Sequence, residues 1–544
     1  MKKLRIVFLV FILLIAGVFL YLKFRKSKDF EPLIKAKLQA LVKDASNGLY
    51  VLNIDKIDVD IVDSKIKVHN AELLIDSARL KVLNEQGIAP ADVYKISLSD
   101  LDIDGLDITD LLNKKNIDLS VINLKNPTVE IYHPVNKNVQ PQKDTSTLYS
   151  RIQKSLGHFQ LKDLSITNMN FIYHNIQGKE KITNFKNISM KFDDIEIDSL
   201  TQFDTTRFLY AKHAAIYLPN YSFRTSDSLY FVKADSIILH AAQKTLNATG
   251  LAITPRYNKQ EFSKKLTFYK DRYDIKFDSA SFNNVDWYHL ISGEGFSATS
   301  VLLVNGSMEV YVDRNIPLSS KSKVGNYPHQ LIMKLDLPAQ VDTINIKNFT
   351  FNYKELNPKT QKVGVVIFNN IDGTITNVTN IKERIAANKI MLVKAHGHLM
   401  EKADINATFA FDLTKTKNGD FSVDADLGPM DGTALNPATT VLGMFEINSL
   451  SIKKLSTHVS GNNNNANSTV FFVYDDLKIT ALKQDDSGKL KHRGFISFVA
   501  NTFVINKSNT SKKTKGYFKR DVHRSFFYLI WKTILQGITS TVAS

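Results

Sequence analysis

Apolar and polar residues alternate along most of this chain with a period close to two. Ile54 to Ile61 reads Ile-Asp-Lys-Ile-Asp-Val-Asp-Ile, Ile96 to Ile103 reads Ile-Ser-Leu-Ser-Asp-Leu-Asp-Ile, and Ile188 to Ile197 reads Ile-Ser-Met-Lys-Phe-Asp-Asp-Ile-Glu-Ile. Successive side chains of a strand point to opposite faces, so this spacing predicts sheet with one apolar face and one face of carboxylates and lysines. The alternation changes phase at two recurring places. Leu164 and Ile166 give way to Met169, Phe171 and Tyr173 around Asn168, and Ile344 and Ile346 give way to Phe349, Phe351 and Tyr353 around Asn348. Ile122 and Leu124 give way to Val129 and Ile131 across Asn126-Pro127, as Val301 and Leu303 do to Met308 and Val310 across Asn305-Gly306. Asn, Gly and Pro tolerate or impose turn dihedrals, so each switch predicts a bulge or tight turn joining short strands.

These matches belong to a duplication. Leu106-Asp107-Ile108 aligns with Val285-Asp286-Trp287, and Leu119 to Tyr132 then falls on Ala298 to Tyr311 without a gap. Leu164 to Tyr173 matches Ile344 to Tyr353, and Phe185-Lys-Asn187-Ile188 matches Phe368-Asn-Asn370-Ile371 a few residues out of step. A repeat of about 180 residues suggests an architecture that grows by adding units and favours a scaffold over a single catalytic pocket. Helical spacing occurs in Thr145 to Leu156 and His329 to Leu335, each just before the second switch of its copy, so each unit reads as several strands plus one short helical crossing. The expectation is a mainly β protein: an elongated, curved antiparallel sheet or groove built from the duplicated unit. About 25 to 30 strands spaced about 4.8 Å apart would extend roughly 120 to 140 Å.

Both ends of the chain depart from this pattern. Ile6 to Leu22 is seventeen residues without a charge, which with flanking lysines and arginines is enough for an uncleaved transmembrane helix. A cleaved signal peptide is the rival, but no small-x-small site follows. Pro32 to Ala45 spaces Ile34, Leu38, Leu41, Val42 and Ala45 as an amphipathic helix, either on a membrane surface or capping the first strands. At the other end, the basic stretch Lys512 to Arg524 precedes an apolar segment, Ser525 to Ile538, too short and polar to span well. Such a helix can lie in a membrane interface, with Lys519, Arg520, Arg524, Phe526, Phe527 and Trp531 as candidate contacts, or plug the last sheet edge.

Charge sharpens this division. Residues 1–28 hold seven Lys/Arg and no acid, and residues 505–544 hold eight against one Asp, so the ends carry fourteen of the sixteen net positive charges and the interior only two. That distribution, without a recognisable reading module, argues against nucleic acid as a partner. The chain has no cysteine, which excludes disulfides and thiolate metal sites.

Catalytic and metal signals are weak. Asp100-Leu-Asp102-Ile-Asp104-Gly105 opens like a calcium loop, but its twelfth position is Leu111 and its repeat partner has lost the carboxylates. His396 and His398 share a strand face without a third ligand. Glu130 and Glu309 recur, but alternate with apolar neighbours, and solvent-facing positions are expected. No nucleophile elbow, P-loop or dinucleotide fingerprint is present, so no catalytic residue, metal or cofactor is assigned and an enzyme is not expected. Gly461 to Ser468 reads as a polar hairpin tip, and Tyr257 to Lys265 as a polar excursion between strands.

The short amino-terminal head, single apolar anchor, strand after Gly48 carrying Ile54 to Ile61, and Leu-x-Asn-Pro-x-Val-x-Ile-Tyr at 124–132 with its partner at Leu164 to Tyr173 resemble the AsmA-like envelope proteins, nearest the large ones of Bacteroidota-type bacteria. The resemblance covers essentially the whole chain through degenerate strand patterns. It implies a repeating β-groove with an apolar concave side, a single-pass anchor in the bacterial inner membrane, a periplasmic body, and a role in holding or conducting phospholipid or other lipid bound for the outer membrane. The chain is shorter than the longest members, and its carboxy-terminal apolar segment aligns to no known functional element; an outer-membrane or periplasmic partner is expected there.

The organisation expected is an anchor at 1–28, an amphipathic helix at 29–48, β repeat units at 49–229 and 230–410, a β cap or degenerate third unit at 411–505, and a basic tail with an amphipathic helix at 506–544. Ile166, Phe171, Tyr173, Ile346, Phe351 and Tyr353 are the candidate groove lining. The competing expectation is a structural or assembly scaffold whose apolar faces are closed and dry.

Overall fold

The computed structural model describes residues 30–60, 63–90, 92–105, 116–133, 149, 158–175, 181–292, 294–484, 490–492 and 506–543. The expected anchor, Ile6 to Leu22, and the helix-like Thr145 to Leu156 lie outside these residues apart from Tyr149. Among the described residues no helix is long and apolar enough to cross a membrane. The chain forms two compact units. The amino-terminal one runs to Tyr221 and takes in Asp235–Asn247 and Asp286–Gly293; the carboxy-terminal one comprises Ser222–Ala234, Ala248–Val285 and the chain from Glu294 onward.

Strands dominate both units. In the first are β1 (Tyr50–Asp60), β2 (Lys65–Ile75), β3 (Val93–Asp104), β4 (Asn116–Lys125), β5 (Thr128–His133), β6 (His158–Asn175), β7 (Lys181–Ile197) and most of β8 (Ala211–Arg224). Then follow β9 (Tyr230–His240), β10 (Thr245–Pro255), β11 (Arg272–Asn283), β12 (Phe296–Asp313), β13 (Ala339–Leu356), β14 (Val363–Thr379), β15 (Ile390–Leu399) and β16 (Ala403–Asp412). The remaining strands are β17 (Phe421–Leu427), β18 (Met430–Asp431), β19 (Phe445–Gly461), β20 (Asn465–Gln484), β21 (Leu490–His492) and β22 (Lys513–Lys519). Most neighbours pair antiparallel, but β4 and β5 run parallel to β6, and β12 runs parallel to β13. The expected antiparallel sheet holds for the other pairs, and these parallel neighbours, each of which requires a crossover, are the exceptions. In the second unit that crossover holds the short helix Pro328–Ile332.

The duplication holds at the level of hydrogen-bond register. Tyr94 faces Ile131 in the first copy as Tyr273 faces Val310 in the second, and Ile122 faces Leu164 as Val301 faces Ile344. The register breaks between Ile166, Met169 and Phe171 recur between Ile346, Phe349 and Phe351. Asn126 and Asn305, Asn168 and Asn348, and Asn187 and Asn370 all adopt positive φ between 51° and 58°. Asparagine tolerates this left-handed conformation, which costs other non-glycine residues about 1 kcal/mol or more.

The two phase switches of each copy therefore form one row across the sheet. Asn168 Nδ2 donates to Asn126 Oδ1 at 3.3 Å, and Asn126 Nδ2 to Ser99 Oγ at 3.2 Å. In the other copy Asn348 Nδ2 donates to Asn305 Oδ1 at 2.9 Å, and Asn305 Nδ2 to Asp278 Oδ2 at 3.0 Å. A left-handed residue resets the alternation, so the apolar residues on both sides of the row stay on one surface. The switches lie inside 18-residue strands in β6, β12 and β13 and do not join short strands as expected. Only at Asn126-Pro127, where proline supplies no amide donor, does one strand become two. Two further left-handed positions recur, Gly105 and Asp194 in the first copy and Asn284 and Asn377 in the second, and were not evident from the alternation.

Helices close parts of the sheet. The amino-terminal helix Phe30–Ala45 packs on β1, burying Leu38, and Glu31 accepts the Ile57 amide at 3.1 Å; this is the capping role. The predicted polar excursion at 257–265 contains the helix Lys259–Lys264, with an Asn258/Glu261 capping box and a fully buried Phe262. The carboxy-terminal helix Phe526–Val542 lies on β20 and β22. A Cβ on Gly516 would sit 2.2 Å from the Thr533 carbonyl, and one on Gly537 2.4 Å from Val470, so two glycines permit the close approach. Phe526, Leu529 and Ile530 join Tyr327, Phe411, Phe421 and Val459 in one core.

Candidate functional site

The six candidate lining residues occupy equivalent places on β6 and β13, and all are half-buried. Phe171 faces Phe185 across the β6–β7 pair and Phe351 faces Phe368 across β13–β14. The ring geometries match: centroids 6.1 Å apart at 47° in the first copy and 6.2 Å at 44° in the second. Phe185 stacks further on Tyr221 at 5.2 Å. In the second copy Phe277 and Phe349 stack at 5.6 Å above Gly306, where a Cβ would lie 2.3 Å from Phe277 and 2.5 Å from Phe349. Glycine there leaves room for a continuous apolar surface over β11, β12 and β13.

The copies differ in burial. Leu98, Leu124, Leu164, Met169, Ile188, Met190 and Phe192 are all buried in the first copy. Their second-copy equivalents Phe277, Leu303, Ile344, Phe349, Ile371, Gly373 and Ile375 are all half-exposed. The second unit thus presents a strip along β13, Ile344, Ile346, Phe349 and Phe351, in which each side chain keeps part of its apolar surface uncovered. Beyond Phe351 the strip ends at Tyr353, whose hydroxyl donates to Glu355. Burial and then the Glu355 charge push the Tyr353 hydroxyl above its ordinary range, so it remains a donor.

The candidate membrane contacts separate into two groups. Phe527 and Trp531 are 62% and 54% exposed on the outward side of the carboxy-terminal helix, and Lys519 is exposed on β22. Phe526 and Arg520 are each only 6% exposed, which corrects their assignment to a surface. Arg520 donates to Asn463 Oδ1 at 3.2 Å and to the Lys323 carbonyl at 3.0 Å, with its guanidinium 4.3 Å from the Tyr327 ring centroid. Arg524 is half-buried.

The polar signals are absorbed by local pairing. Asp100 meets His69, and Asp102 meets Lys125. His396 pairs with Asn406 at 3.0 Å and His398 with Asp404 at 3.0 Å. Glu130 and Glu309 are not solvent-facing as expected. Glu130 is held by Lys95 and His174, and Glu309 by Lys354 at 2.6 Å and Lys259 at 2.9 Å. Burial alone would raise the Glu309 pKa, but these two hydrogen bonds keep it below the usual range.

Sequence reading missed two groups, both assembled by long-range pairing. His158, Glu196 and Asp198 bring potential metal-ligand atoms within 4.8 Å, yet Glu196 is ion-paired to Arg207 at 2.9 Å and Asp198 accepts the Leu200 and Thr201 amides. His329 is fully buried against Phe411, and neither ring nitrogen has a hydrogen-bond partner among the described residues. Burial lowers its pKa to about 4, against the weaker pull of Asp420 and Asp412. No family model and no curated protein matches the chain.

Proposed function

We propose that this chain is an AsmA-like envelope protein, anchored in the bacterial inner membrane by Ile6 to Leu22 with its body in the periplasm, that holds lipid acyl chains. It has no catalytic role in this reading. One observation carries it: the partly uncovered apolar strip of β13 with its neighbours Phe277, Phe368 and Ile371, continuous across the asparagine row. Each methylene seated there would gain about 0.8 kcal/mol, and similar successive positions would let a chain slide. Direction would come from partners in either membrane. In the first copy Leu164 and Met169 are buried where Ile344 and Phe349 are not, although Ile166 and Phe171 stay half-buried, and this favours, for that unit, the second reading, a closed scaffold.

The test is native mass spectrometry of the detergent-purified full chain with lipid extraction. The carboxy-terminal segment must be retained, because Phe526, Leu529 and Ile530 complete a core. Co-purified phospholipid that falls several-fold in a folded Phe351→Asp variant is expected. A folded chain whose lipid content is unchanged by the substitution would favour the scaffold.

A further inference from the structure

The apolar strip of β13 ends in a collar of cations and tyrosines within the carboxy-terminal unit. Lys323 Nζ and the Arg314 guanidinium each lie 4.9 Å from the Tyr269 ring centroid, and the Arg524 guanidinium lies 6.0 Å from it. Arg524 is also 5.5 Å from the ring of Tyr528. Arg314 follows β12, Tyr269 precedes β11, Lys323 lies in the crossover to β13, and Arg524 precedes the carboxy-terminal helix. Three separated stretches of chain, one before β11, one between β12 and β13 and one before the carboxy-terminal helix, therefore place three cations around one ring.

Three carboxylates accompany them, and tyrosines occupy two. Asp271 accepts the hydroxyls of Tyr269 and Tyr273, and Glu355 accepts that of Tyr353 together with Arg314 Nη2 at 2.8 Å. Lys323 reaches Asp271 only at 3.8 Å, and Arg524 reaches Asp521 only at 3.7 Å. Buried Arg314 Nη1 and buried Arg524 Nε and Nη1 have no hydrogen-bond partner among the described residues. Buried donors are ordinarily satisfied, and a guanidinium fork matches the oxygens of a phosphate.

We propose that Arg314, Lys323 and Arg524 form a site for the phosphate of an anionic amphiphile whose chains lie along Ile344, Ile346, Phe349 and Phe351. The acyl half of this inference rests on the function proposed above; the phosphate half stands on the collar alone. Tyr353 marks the boundary between the two, with its ring continuing the strip and its hydroxyl committed to Glu355.

The test titrates the detergent-solubilised full chain with three probes, followed by the fluorescence of Trp531 and by phosphorus NMR: a short-chain phosphatidic acid, a monoacylglycerol of equal chain length, and inorganic phosphate. Phosphatidic acid should bind at least about tenfold more tightly than monoacylglycerol, and inorganic phosphate should compete at higher concentration. Arg524→Gln and, independently, Lys323→Gln should each weaken phosphatidic acid about tenfold and leave monoacylglycerol unchanged. Equal binding of the two lipids, or insensitivity to both substitutions in folded protein, would overturn the site. Inorganic phosphate bound in an Arg524-dependent way with no lipid bound would keep the anion site, as free-phosphate binding, and remove the acyl strip. No binding of any probe would remove both.

Discussion

The two copies of the repeat share a backbone and differ in what their apolar face meets. Register, bulges and left-handed asparagines coincide from β3 to β7 and from β11 to β14. Yet Leu164, Met169 and Ile188 are buried, while Ile344, Phe349 and Ile371 are half-exposed. The backbone program is thus separable from the fate of the surface it builds. Duplication supplied two apolar sheets, and side-chain changes such as Met190 to Gly373 and Met169 to Phe349 accompany the more open one.

The largest test of that contrast truncates equivalent residues. Leu164→Ala should cost about 3 kcal/mol and Ile344→Ala about 1 kcal/mol, read as lost hydrogen-exchange protection in β6 and β13 respectively. Equal costs would erase the distinction between the copies.

The next test concerns a buried histidine of the carboxy-terminal unit. His329 has a folded pKa near 4 against about 6.5 when unfolded, so the unfolded state binds more protons between these values. Its contribution is present above pH 6.5 and is lost as pH falls toward 4. Stability of this unit should drop by about 2 kcal/mol between pH 7 and pH 5, and His329→Phe should flatten that slope. Denaturant titration at the two pH values, with Trp531 as the probe, measures it.

The smallest effect should be the same in both copies. Asn168→Ala and Asn348→Ala should each cost about 1 to 2 kcal/mol through the left-handed backbone and a lost side-chain bond. The glycine variants should cost less, because glycine keeps the dihedral. A large difference between copies in thermal or denaturant melts would mean that the rows are not equivalent.

Much of the backbone was legible because alternation and its slips are local. Asn126, Asn168, Asn305 and Asn348 announced their bulges, and the helix ending at Ala45 announced itself by spacing. That the two switches form one hydrogen-bonded row was not legible, since pairing Asn126 with Asn168 depends on the crossover between β5 and β6. The further left-handed positions were hidden because glycine and aspartate in one copy stand where the other has asparagine. Periodicity marked Phe526 and Phe527 alike as apolar, but only the docking of the helix on β20 and β22 separates the buried ring from the exposed one. The collar at Tyr269 was invisible for the same reason: its three cations come from two connections far apart in the chain, before β13 and before the carboxy-terminal helix.

The central claim is that the strip of β13 meets lipid. A photoreactive benzoylphenylalanine placed at Phe351, at its opposite-face neighbour Asn352, or at buried Leu164 of the full chain in living cells would report what each position touches, by mass spectrometry of the adducts. Lipid adducts at position 351, with few at 352 and 164, are predicted. No lipid at 351, or equal yields at 351 and 352, would contradict the account.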